Sequence, residues 1–210
     1  MLITSKDLTG FAMNSADGEV GRIGRLYFDD RDWRIKWFVA DSGEWLKGKQ
    51  ILIPPTSLTD FRADEYAVGV ELTKSQVESG PAVEALSAKK FDQQSQMELP
   101  LGADYVLTPE DRLELRSKSD GHLQDSEILE GYEVRLHNVE VGYVSTLLVE
   151  TEGWRIDSLV IETKGWWHGK KVLIPMGALE GLDEKEKVVL ANLEIEAFNN
   201  LPEYKDEHSR

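Results

Sequence analysis

The amino-acid sequence predicts a mainly β protein made of two tandem small barrels or rolled sheets, each ending in a short helix and joined by a partly helical linker. Three observations carry this reading. The chain repeats itself at a constant shift of 121 residues. Each copy consists of short apolar or alternating segments bounded by turn residues, and each closes on a proline.

The repeat is ungapped. Gly10-Phe11 is matched by Gly131-Tyr132, Glu19-Val20-Gly21 by Glu140-Val141-Gly142, and Trp33-Arg34-Ile35 by Trp154-Arg155-Ile156. The same shift takes Trp45 onto Trp166, Gly48-Lys49 onto Gly169-Lys170, Leu52-Ile53-Pro54 onto Leu173-Ile174-Pro175, and Pro81 onto Pro202. Chance does not align so many tryptophans, glycines and prolines without an insertion, so one folding unit is encoded twice. The modules run over residues 1–81 and 122–205, with a linker over 82–121.

Within a module the elements follow in order. Val20 to Phe28 reads as a strand that leads into the turn Asp29-Asp30-Arg31-Asp32. In the second copy that turn is Glu150-Thr151-Glu152-Gly153, where Gly153 is able to supply a positive φ. A strand over Trp33 to Ala40 follows, placing Trp33, Ile35, Trp37 and Val39 on one face by the period of two. Trp154, Ile156, Ser158 and Val160 repeat that face. A third strand, Lys49 to Ile53, stops at Pro54-Pro55, and Lys170 to Ile174 stops at Pro175, because proline cannot donate to a ladder. Another strand spans Tyr66 to Leu72, matched by Lys187 to Leu193.

Thr73-Lys74-Ser75-Gln76 has the form of a capping box and opens a helix; the second copy offers Asn192 less clearly, then Ile195 and Phe198 on one face. Both helices stop before a proline. In the linker, Ala85 to Met97 has the pattern of a helix.

Composition narrows the function. The chain has 210 residues, 39 acidic against 24 basic, for a formal charge of −15 and no Lys/Arg run, so nucleic acid is a poor partner. Absence of cysteine removes disulfides, thiolate catalysis, zinc–thiolate sites and iron–sulfur clusters. Met1 to Phe11 carries Lys6 and Asp7 and lacks an apolar run, and no segment approaches the ~20 apolar residues of a membrane helix. A cytoplasmic protein is expected, with peripheral membrane association compatible.

Candidate site residues are few. Trp45 and Trp166 are expected to plug the barrel ends, which leaves Leu46 and Trp167 as candidates for protein interaction. Gly21, Trp33, Trp45, Gly142, Trp154 and Trp166 are repeat positions kept for structure, the glycines for a bulge or close packing. Asp29, Asp30 and Asp32 form the one dense carboxylate cluster and read as a solvated turn. The four histidines are scattered, and no nucleophile motif is present. No catalytic, cofactor-binding or metal-ligating residue is expected, and therefore no enzyme and no cofactor.

These residues are also familiar together. Gly10-Phe11 with Asp17-Gly18-Glu19-Val20-Gly21, then Trp33-Arg34-Ile35, then Trp45-Leu46-Lys47-Gly48-Lys49 leading into Leu52-Ile53-Pro54, resembles the PRC-barrel family. Glu140-Val141-Gly142, Trp154-Arg155-Ile156 and Trp166-Trp167-His168-Gly169-Lys170 repeat the resemblance. It implies a small barrel of the kind found in the cytoplasmic domain of the photosynthetic reaction-centre H subunit and in a ribosome-maturation factor, where it serves assembly or docking. The function expected is a non-catalytic protein-binding or assembly module that docks a partner or itself, as a homodimer for example. The alternative is an accessory subunit related to reaction-centre H that supports electron transfer or binds a small molecule.

Overall fold

The computed structural model describes residues 1–80, 82–83, 122–164 and 169–205. The helix expected over 85–97, and Trp166 and Trp167, lie outside the described residues. Two separate sheets form, one per repeat, each of seven strands.

The first sheet has β2 (Ala12–Ser15), β3 (Gly18–Asp29), β4 (Ile35–Asp41), β5 (Gln50–Ile53), β6 (Leu58–Arg62) and β7 (Ala67–Val70), in the order β5-β4-β3-β2-β7-β6. All neighbours are antiparallel except β2 and β7, which run parallel. The second sheet repeats this with β9 (Glu133–Leu136), β10 (Val139–Glu150), β11 (Arg155–Thr163), β12 (Lys171–Pro175), β13 (Leu179–Asp183) and β14 (Val188–Ala191). Here β9 and β14 are the parallel pair.

Each sheet rolls up because the ladders along its long strand are bulged at the same places, twice on that strand and once on its neighbour. Ladder shifts fall between Met13 and Asn14, Ile23 and Arg25, and Tyr27 and Phe28 in the first copy. In the second they fall between Glu140 and Gly142, Val144 and Thr146, and Leu148 and Val149. Each bulge adds a residue on one side and bends the strand. The glycines Gly21 and Gly142 sit beside the first bulge, where a Cβ would run into the backbone of Asp41 or Glu162.

Strands β4, β5 and β7 are buried on both faces, which explains their nearly continuous apolar runs. In β4 and β5, Phe38 faces Ile53 and Ala40 faces Ile51 on one side of the sheet, with all four fully buried. Trp37, Val39 and Leu52 lie on the other side, in a cluster with Tyr27, Val83 and Leu123. The free edge of β5 is covered by the chain just after its helix, through the Ile51–Ala82 bridge and the bond from Val83 N to Gln50 O. In the second copy Leu173 N to Pro202 O and Tyr204 N to Lys171 O do the same. Covered edges do not recruit strands from other molecules.

The short helices are α1 (Ser5–Leu8), α2 (Lys74–Glu78), α3 (Ser126–Leu129) and α4 (Ile195–Asn199). Thr73 caps α2, and Gln76 completes the capping box expected from sequence. The cap of α4 is Glu194 and not Asn192, and Glu194 makes no side-chain cap bond. Phe198 is buried in the second copy while Ile195 lies on the surface.

Several strand starts fall later than expected. Trp33, Tyr66, Trp154 and Lys187 all have positive φ, between 47° and 58°, and act as turn residues ahead of β4, β7, β11 and β14. Trp33 therefore does not share the strand face of Ile35 and Trp37. The positive φ assigned to Gly153 is taken by Trp154 instead.

The compact units do not follow the repeat at its edges. One consists of Met1–Lys6, Asp32–Arg34 and Ser126–Arg210, and the other of Asp7–Arg31 and Ile35–Asp125. Strand β1 (Leu2–Thr4) pairs with β10 in the former, and its repeat equivalent β8 (Leu123–Asp125) pairs with β3 in the latter. Each sheet thus holds the first strand of the other repeat.

Candidate interaction surface

The loop after β4 is closed by its own backbone and one hydroxyl. Ser42 Oγ donates to Lys49 O at 2.6 Å, Ser42 N donates to the same oxygen, and Gly48 N donates to Gly43 O at 2.6 Å. Lys47 and Gly48 both take positive φ to make the turn back into β5. In the second copy Thr163 N and Oγ1 donate to Lys170 O at 2.9 and 3.0 Å, so the base of that loop is built alike.

This loop carries a single 3-10 turn, Gly43–Leu46, which presents Trp45. Trp45 is 38% exposed. Its indole N–H donates to Val20 O at 3.2 Å, and Lys74 Nζ lies 5.7 Å from its ring centroid. Leu46 is half-buried. Trp45, expected as a barrel plug, is thus partly exposed while its indole still bonds to the barrel backbone, and Leu46 beside it is half-buried.

Gly18 and Asp17 flank this loop from the β2–β3 hairpin. Asp17 accepts from Ser15 Oγ at 2.7 Å and from Lys74 N at 3.0 Å. The Ser15 hydroxyl, with help from Lys74, keeps its carboxyl below the usual value. These bonds tie hairpin, loop and the start of α2 into one end of the sheet.

The carboxylate cluster is dispersed in space. Asp29 is buried, and both of its oxygens accept from the Arg31 guanidinium, at 2.9 and 2.6 Å, with Arg31 N adding a third bond. Asp30 turns to His122 Nδ1 at 2.8 Å and Gln124 Nε2 at 3.2 Å, and Asp32 accepts from Arg34 N. The turn expected to be solvated is therefore an anchor for strand β8. The Arg31 hydrogen bonds outweigh burial and lower the Asp29 carboxyl below its ordinary value. A lowered carboxyl stabilises the fold above the unfolded value, and this contribution disappears as pH falls through the folded one. An Arg31→Ala chain is expected to unfold at higher pH on acid titration than the parent, read by tryptophan fluorescence.

The second repeat has an open cleft of about 380 Å³ lined by Glu133, Arg135, His137, Asn138, Glu140 and Leu190. Its charges are already engaged: Arg135 pairs with Glu133, and Glu140 with Lys164. Lys164 Nζ also lies 3.8 Å from the ring centroid of Tyr143.

Of the repeat positions, Gly21 and Gly142 stand at equivalent bulges, Trp154 is buried and Trp33 half-buried in equivalent turns. Sequence reasoning missed the exchanged strands. The one signal was the same 121-residue shift, which carries Leu2 onto Leu123 and Ser5 onto Ser126, two identities in four residues.

Two rolled, bulged sheets with matching loops and short closing helices define a tandem of small β-barrel modules. The family model of the PRC-barrel domain matches residues 6–77 and 126–194, and the chain belongs to that family. Among curated proteins none matches it. No helix among the described residues is long and apolar enough to cross a membrane.

Proposed function

We propose that this chain is a non-catalytic assembly protein of the cytoplasm, which docks a protein partner or a second copy of itself through the loop that carries Trp45. The observation behind this reading is the exposure of Trp45 in a fold that buries Trp37 completely and Trp154 nearly so. Exposed tryptophans are common anchors of protein interfaces. Trp45 is moreover held in place by its bond to Val20 O and by the closed loop beneath it, so little side-chain entropy is lost on docking. Leu46 flanks the anchor, and Trp167 is its neighbour's counterpart in the second repeat.

The test is a Trp45→Ala, Trp167→Ala chain compared with the parent by affinity capture from the native cell and by light scattering. Loss of the captured protein or of the dimer, with a melting temperature within a few degrees of the parent, is the expected result. Unchanged capture would remove the loop from the reading. A parent chain that captures nothing but is stabilised by quinones would favour the accessory-subunit alternative.

A further inference from the structure

The long strand β10 pairs with β9 only over Val139–Tyr143. After Val144, which bonds to Gly131 and Tyr132, its outer edge is satisfied by Met1–Lys6. Lys6 Nζ donates to Ser145 O, Leu147 N donates to Ser5 Oγ at 3.2 Å, β1 pairs with Leu148–Glu150, and Thr151 N donates to Met1 O at 3.0 Å. Ser5 Oγ also meets Thr146 Oγ1 at 2.9 Å in a buried contact. The edge of β10 is thus a strand-acceptor slot, of the kind that binds an added strand through its main chain.

The equivalent slot on β3 is keyed differently. Asp125 of β8 pairs with Arg25 at 3.3 Å, and Asp30 bonds to His122 and Gln124. Thr146 stands where Arg25 stands in the first repeat, so the β10 slot lacks the cation that selects Asp125, and its donor has Thr4 at the position of that aspartate. The β3 slot therefore prefers the acidic donor β8.

Occupancy of the β10 slot is deep at Ile3 to Ser5 and loose at its start. Met1 and Leu2 are 56% and 49% exposed, and the Met1–Glu152 ion pair spans 3.9 Å at the surface. All three residues of β8 are buried in theirs. The division between the compact units falls within α1, between Lys6 and Asp7, so a change confined to α1 detaches the donor without altering either sheet.

We propose that the β10 slot also accepts Met1–Lys6 from a second copy of this chain, giving a reciprocal strand-exchanged dimer. Every bond named above is the same whichever copy supplies the segment. Two copies that trade it close a twofold assembly with no new surface. The donor in the same chain wins at low concentration, with an effective concentration on the order of mM for a short tether, and a second copy competes as protein concentration approaches that value. This site is independent of the Trp45 loop, and its partner is fixed as the chain itself.

The chain has no cysteine, so paired substitutions report the exchange directly. Leu2 and Glu150 are register partners, within reach of a disulfide. A Leu2→Cys chain and a Glu150→Cys chain are refolded together at about 1 mM and oxidised. The expected result is a covalent heterodimer in roughly tenfold excess over a control in which Glu180→Cys replaces Glu150→Cys. One chain carrying both substitutions, refolded dilute, is expected to cross-link within itself; without that bond the β1–β10 register is wrong and the proposal falls. Heterodimer no more abundant than the control overturns exchange between copies. So does heterodimer that survives Ile3→Asp in the donor, since Ile3 is buried in the slot. The unsubstituted chain, refolded at the same concentration, is expected to keep a dimer fraction after dilution, and a purely monomeric profile counts against the proposal. Trp45→Ala should leave all of these readings unchanged, which separates this site from the docking loop.

Discussion

A Gly142→Ala chain is expected to lose about 3 kcal/mol of stability, seen as a lower urea midpoint at unchanged slope. The added Cβ would overlap the carbonyl oxygen of Glu162 and stand 3.0 Å from both its carbonyl carbon and Thr163 Cα. All of these are backbone atoms, so no rotamer change relieves the clash. Gly142 pairs directly with Thr163 in the β10–β11 ladder, and the two strands must separate where the bulge at Val141 already bends them. Gly21→Ala is expected to be destabilising by a different mix, a milder approach of its Cβ to Asp41 O at 2.7 Å together with backbone strain at a φ of 154°. Gly181→Ala is the control: nothing lies within 4 Å of its Cβ, and loss of unfolded-state freedom makes it neutral or slightly stabilising. If Gly142→Ala were as stable as Gly181→Ala, close approach of β10 to β11 would not be the reason for glycine there.

The glycine at 142 also shows what the sequence makes legible. A residue matched across 121 positions with its neighbours is fixed by geometry that both copies share, and bulge, turn and ladder end all belong to that class. Hence Gly21, the prolines at the ends of β5 and β12, and the Thr73 capping box were readable from residue type alone. Trp33 and Trp154 were read as strand residues because alternation continues through them. Alternation in residue type does not reveal backbone conformation, so a left-handed residue just ahead of a strand reads like one more strand position. Periodicity says nothing of how a 3-10 turn divides exposure between Trp45 and Leu46, so that division was not legible. The exchanged strands were hidden for a different reason. Leu2–Thr4 and Leu123–Asp125 are equivalent in sequence, and a repeat specifies what a segment is without specifying which copy it pairs with.

Replacing Trp37 by alanine is expected to cost about 4 kcal/mol, the range for removing a large aromatic from a closed core. Trp37 is fully buried and packs with Tyr27, Val39, Leu52, Val83 and Leu123. The chemistry of the indole separates two contributions. Its N–H is buried and has no hydrogen-bond partner among the described residues, and an unpaired buried donor costs roughly 1–3 kcal/mol. Trp37→Phe keeps most of the ring and removes that donor, so it is expected to stay within about 1 kcal/mol of the parent. Position 158 in the second repeat points the same way, since a serine there meets its polar requirement at Asp157 Oδ2, 2.7 Å away. Because Leu123 belongs to the Trp37 cluster, the alanine chain should also loosen β8. Faster amide exchange at Leu123–Asp125 in Trp37→Ala than in Trp37→Phe is the signature, and equal protection in the two would mean that β8 is held by Asp30 and Arg25 alone.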